Sequence, residues 1–164
     1  MRDAVDTIMD QWRVERPDVD PEPMGVTVRA ARLAALLERG MDDTLADHGL
    51  AGWEFEVLAS LRRSGPPYEL TVGRLLSTMM ISSGTMTHRL DRLEKRRLVV
   101  RTKNPDDRRG IRVRLTEDGR QLADEVLVAR LARERELLGG LDEVGQQQLA
   151  GLLRKLLLSL HDAP

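Results

Sequence analysis

Seven side chains in one short stretch, Ser82, Ser83, Thr85, Thr87, His88, Arg89 and Arg92, offer hydrogen bonds or positive charge. The hydroxyl residues are short and lose little side-chain entropy when they are fixed. His88 and the two arginines reach further. Downstream, Arg108 and Arg109 stand together inside Asn104-Pro105-Asp106-Asp107-Arg108-Arg109-Gly110, a segment rich in turn formers. Short donors followed by longer cationic arms suit phosphate oxygens and the edges of bases. They do not form a bond-making constellation. The three histidines, His48, His88 and His161, are not framed by G-x-S-x-G, a metal-ligand pair or a phosphate loop. No catalytic residue, metal or cofactor is therefore expected.

These side chains need elements to hold them. Met86, Leu90 and Leu93 recur at helical spacing from Ser82 or Ser83 to about Arg96, and the polar residues fill the other side of the same helix. A helix capped by Thr71 and carrying Val72, Leu75, Leu76 and Met79 precedes it, separated by the tight break Ile81-Ser82-Ser83-Gly84. Leu98–Thr102 and Ile111–Leu115 are β-branched runs on either side of the Arg108–Arg109 turn, which predicts a hairpin. A helix, a turn, a basic helix and a basic hairpin, in that order, form a device for reading duplex DNA. The basic helix fits the major groove, and an arginine at the hairpin tip reaches the neighbouring minor groove.

The remaining chain is helical. The spacing predicts helices over about 1–14, 24–47, 52–63 and 116–138, and a last one from Asp142 to His161, with a short strand at Tyr68–Leu70. The final helix carries a seam of Leu149, Leu152, Leu153, Leu156, Leu157 and Leu160. That seam predicts a homodimer; it would also suit a helical protein-interaction module that binds no DNA. Residues 1–164 are expected to form one domain, mainly α with a small β-wing. Its DNA-binding part spans about 51–116, and its dimerisation parts span about 1–50 and 117–164.

Charge agrees with this division. The chain as a whole carries a formal charge of −1, yet residues 88–114 hold 11 basic and 4 acidic side chains. Screening limits the reach of the distant acids to roughly 8–10 Å, so a local basic face can still hold phosphate. Arginine outnumbers lysine 23 to 3, which reads as codon bias rather than function. With no cysteine, thiol chemistry and disulfides are excluded. No apolar run approaches the roughly 18 residues of a membrane span, and no signal core opens the chain, so a cytoplasmic location away from membranes is expected.

The stretches Thr71–Leu76, Ile81–Lys95 and Pro105–Gly119, above all the Asp-Arg-Arg of the hairpin and the Leu-Thr-x-x-Gly that follows it, resemble the MarR family of winged-helix regulators over about residues 25–160. The resemblance implies a triangular homodimer joined through its terminal helices. It implies binding to a pseudo-palindromic double-stranded operator, usually in repression, and release by a small anionic or aromatic effector. Two positions where the family often has glycine are Met80 and Arg97 here. A non-glycine residue in the left-handed region costs about 1 kcal/mol, which points to a different construction of both turns. The N-terminal helix with Trp12, followed by Glu15–Asp20, is similar to the urate-responsive branch of that family. That likeness implies a ligand site of Trp12, Glu54 and Arg89, with Glu54 standing where the branch usually has Asp.

Overall fold

The structure is a computed structural model that describes residues 1–79, 81–105, 107 and 110–161. Its element order is α1 (Ala4–Glu15), α2 (Met24–Asp47), α3 (Gly52–Arg63), β1 (Glu69–Thr71), α4 (Val72–Met79), α5 (Ser83–Lys95), β2 (Val99–Lys103), β3 (Ile111–Leu115), α6 (Glu117–Leu137) and α7 (Glu143–Ser159). None of the described helices is long and apolar enough to cross a membrane. The chain divides into two compact units, Met1–Met41 and Asp42–Pro164, with the division falling inside α2.

In the first unit, α1 starts at Asp3, whose carboxylate accepts the backbone N–H groups of Val5 and Asp6. It buries Val5 and Met9, and the Met9 side chain meets Gly25 near the start of α2. Arg29 of α2 reaches back to Asp3 at 2.8 Å and to Asp6 at 2.7 Å. Further ion pairs join Arg2 to Asp10 and Arg13 to Glu22.

The second unit is built around α3, α4, α5 and a three-stranded antiparallel sheet of order β1-β3-β2. In register, Leu70 faces Val113 and Val99 faces Leu115. The core gathers Phe55, Val57, Leu58 and Leu61 of α3, Leu75 of α4, and Met86, Leu90 and Leu93 of α5, together with Val99, Val113 and Val126. Each large aliphatic or aromatic side chain removed from water in this way contributes about 1.5–3 kcal/mol before entropy is charged. The apolar stripe of α5 is thus the one its spacing predicts, and burying it turns the polar side of the helix outward.

The hairpin closes above its last ladder pair, Lys103 opposite Ile111, where the Asn104 N–H donates to the Gly110 carbonyl at 2.9 Å. Two further devices fix the start of α6. The Thr116 hydroxyl donates to the Arg97 carbonyl at 2.7 Å and accepts the Gly119 N–H at 3.0 Å. Gly119 lies so close to the chain entering β2 that a Cβ there would sit 2.0 Å from the Leu98 carbonyl oxygen. Arg97 takes a φ of 58°. The turn after α5 is therefore left-handed despite the missing glycine, contrary to the expectation of a different construction. Met80, the other such position, lies outside the described residues.

Leu152, Leu153, Leu156, Leu157 and Leu158 of α7, and Leu160 just after it, are all exposed in the single chain.

Candidate nucleic-acid interface

Helix α5 begins at Ser82, whose hydroxyl oxygen accepts the Thr85 N–H at 3.3 Å and lies 2.9 Å from the Thr85 hydroxyl. The Thr87 hydroxyl donates to the Ser83 carbonyl at 3.0 Å. Ser82 and Thr85 therefore form the cap that starts the helix. All four hydroxyl residues are exposed, as are His88 and Arg92, and Arg89 is half-buried. The structure brings these seven predicted residues onto the accessible part of one helix. Arg108 and Arg109 lie outside the described residues.

The hairpin is anchored to α5 by Arg101 of β2. Its guanidinium meets Glu94 at 2.6 Å and Asp91 at 2.7 Å, and its backbone N–H donates to Glu94 at 3.2 Å. The hydrogen bond from Arg101 holds the Glu94 carboxyl below its ordinary range, and the same bond raises the Arg101 pKa. Arg112 of β3 ties the sheet together through Glu69 at 3.0 Å and Asn104 at 2.8 Å. Part of the basic charge counted in 88–114 is thus spent on architecture, which the sum over the sequence does not reveal.

The residues singled out by the urate-branch resemblance are placed as follows. Trp12 is exposed on α1, in the first unit. Glu54 is buried at the start of α3, and its carboxylate accepts the Ala51 N–H and the Arg96 guanidinium, both at 2.9 Å. Arg89 instead lies over the ring of Trp53, 5.3 Å from its centroid, and Arg92 lies over the same ring at 4.9 Å. Trp53 belongs by its spacing to the apolar pattern of α3. Its contacts with α5 span more than thirty positions of chain, and no periodicity signals them.

Residues 48–110 match the MarR family. Over 152 residues the chain is 36% identical to the HTH-type transcriptional regulator PecS of Dickeya dadantii (strain 3937), covering 93% of this chain and 92% of that relative. Among solved structures it is similar to Sco3205, a MarR family transcriptional regulator from Streptomyces coelicolor in complex with DNA. The TM-score is 0.77 at 25% identity, over 89% of this chain and 91% of that one. It is also similar to BpsR of Bordetella bronchiseptica, whose DNA binding is regulated by 6-hydroxynicotinic acid, with a TM-score of 0.71 at 27% identity over 85% and 94% of the two chains. With the helix-turn-helix, the hairpin and near-full-length identity in agreement, the chain belongs to the MarR family of winged-helix, DNA-binding transcriptional regulators.

Proposed function

We propose that the protein represses transcription by binding a pseudo-palindromic duplex operator as a homodimer, and that a small anionic or aromatic effector releases it. The observation that carries this reading is the polar side of α5, with Ser83, Thr87, His88, Arg89 and Arg92 accessible above a core-packed apolar stripe. In this reading α5 enters the major groove, and Arg108 and Arg109 of the wing reach the minor groove. The DNA-binding part spans about 51–116. The terminal helices within 1–50 and 117–164 join the two copies, with the exposed leucines of α7 supplying apolar area for the second copy. The protein acts in the cytoplasm, by binding and not by catalysis. The DNA-bound Sco3205 and the ligand-regulated BpsR support the two halves of the reading.

The test is a fluorescence-anisotropy titration with the intergenic DNA beside the coding gene and with random duplex. Operator affinity should exceed random affinity and fall steeply with salt. Sedimentation should give about twice 18.5 kDa. A panel of aromatic and purine-like acids should include one that dissociates the complex, and the Trp12→Ala variant tests whether the N-terminal tryptophan takes part. A wild-type protein that binds every duplex alike would remove the operator reading.

A further inference from the structure

Four arginines in the described residues lie over aromatic rings. Arg62 stacks on Tyr68 and also holds Asp124. Arg130 stacks on Phe55 and also holds Glu134. Arg89 and Arg92 differ: both stack on Trp53, and neither holds a carboxylate among the described residues. Two guanidinium groups share one indole, and among the described residues no acid pairs with either.

At 3.6 residues per turn, Arg89, Arg92 and Arg96 form one stripe along the flank of α5. The stripe runs between the buried side of Met86, Leu90 and Leu93 and the outward side of His88. Arg96 at its far end is held by Glu54, the neighbour of Trp53. The first residues of α3 therefore clasp the whole stripe. A cation–π contact uses the charge of a guanidinium and does not use up its N–H donors. It also restricts two long side chains that would otherwise lose rotamer freedom on binding. The two like charges repel, and an oxyanion set against both N–H edges relieves that repulsion.

We infer that Trp53 is a positioning residue that holds Arg89 and Arg92 as a two-arginine clamp for a backbone phosphate of DNA, so that these arginines fix register on the duplex and do not read bases. The inference rests on the DNA-binding reading above. It assigns sequence discrimination to other residues of α5, because backbone contacts position a protein without carrying sequence information.

The experiment measures binding of wild type, Trp53→Leu, Trp53→Phe, the double variant Arg89→Ala/Arg92→Ala and the triple variant, on operator and random duplex, across a salt series. Thermal unfolding of each variant runs alongside. Trp53→Leu should weaken both duplexes equally, by roughly fivefold to thirtyfold, the weight of two exposed cation–π contacts. Trp53→Phe should recover most of that loss. The arginine double variant should reduce the log-affinity against log-salt slope by about one for each phosphate released. In that background Trp53→Leu should add nothing. The inference is overturned if Trp53→Leu binds like wild type, if it loses affinity for the operator alone, or if its loss persists in full without the arginines. Those results leave the DNA-binding reading standing. A wild-type protein that binds neither duplex overturns both.

Discussion

Arg96, one residue beyond the end of α5, donates to the buried carboxylate of Glu54 at the start of α3, across 2.9 Å. The two ends of this pair are not equivalent. The Arg96 side chain is 36% exposed and can turn to water, whereas that of Glu54 is 3% exposed and cannot. Removing the arginine leaves a buried carboxylate without its cation, whereas Glu54→Gln keeps an acceptor for the Ala51 N–H and frees an arginine that can reach water. Arg96→Ala should therefore cost more than Glu54→Gln, about 2–3 kcal/mol against about 1 kcal/mol, in urea unfolding. The double change to leucines should cost less than Arg96→Ala alone. Equal losses for the two single variants would show that Glu54 is hydrated after all.

Gly119→Ala should be among the most damaging single substitutions in the chain. The added methyl meets a backbone carbonyl, that of Leu98, and not the end of a flexible side chain. The strand and α6 would have to part, at a cost of about 3 kcal/mol or more. A melting temperature within a degree of wild type would contradict this.

Arg97→Gly should stabilise the protein. The residue sits at a φ of 58° with its side chain exposed, so the strain is removed and no packing is lost. The gain is about 0.5 kcal/mol or less, the left-handed penalty of about 1 kcal/mol less roughly 0.5–1 kcal/mol for the added freedom of glycine in the unfolded chain. Chemical denaturation at constant m value measures it.

Acid should loosen α1 before the rest of the chain. Hydrogen bonding to Arg29, helped by the backbone N–H of Asp6, lowers the Asp3 pKa from 3.8 to about 2. A lowered folded value means that the pair stabilises the docked α1 fully above about pH 3.8, and that this support is lost as the pH falls towards 2. Amide exchange of residues 5–9 should accelerate through that window. Asp3→Asn keeps an oxygen for the helix cap but loses the charge. Its α1 should exchange faster at neutral pH and show a flatter acid response.

Much of this architecture was legible in the sequence because it is local. The bounds of α2 and α3 match the helices that spacing predicts over 24–47 and 52–63, and α6 and α7 start beside residues 116 and 142 as predicted. The buried stripe of α5 was legible for the same reason. What escaped was the partner of each long-range contact. The resemblance groups Glu54 with Arg89, and the cation that Glu54 holds in the chain is Arg96, two helical turns further on. Ser82 and Thr85 carry the same chemistry whether they cap a helix or face a ligand, so composition alone could not separate the two uses. The glycine of the Leu-Thr-x-x-Gly motif was visible, but its reason, the Leu98 carbonyl, lies about twenty residues earlier in the turn before β2.

The hydrogen bond from Asn104 to Gly110 has a consequence for how such a chain can change length. It closes the hairpin above the last ladder pair, Lys103 and Ile111, beyond which the described ladder has no further pair. Doubling the length of a loop costs only about 0.6 kcal/mol in closure entropy. Insertions and deletions at the wing tip should therefore be tolerated and inherited, altering how far the wing extends while β2 and β3 stay zipped. An insertion between Thr116 and Gly119 would break a cap and shift a glycine away from Leu98. Only six residues separate the two segments, yet the first should tolerate a change of length and the second is locked.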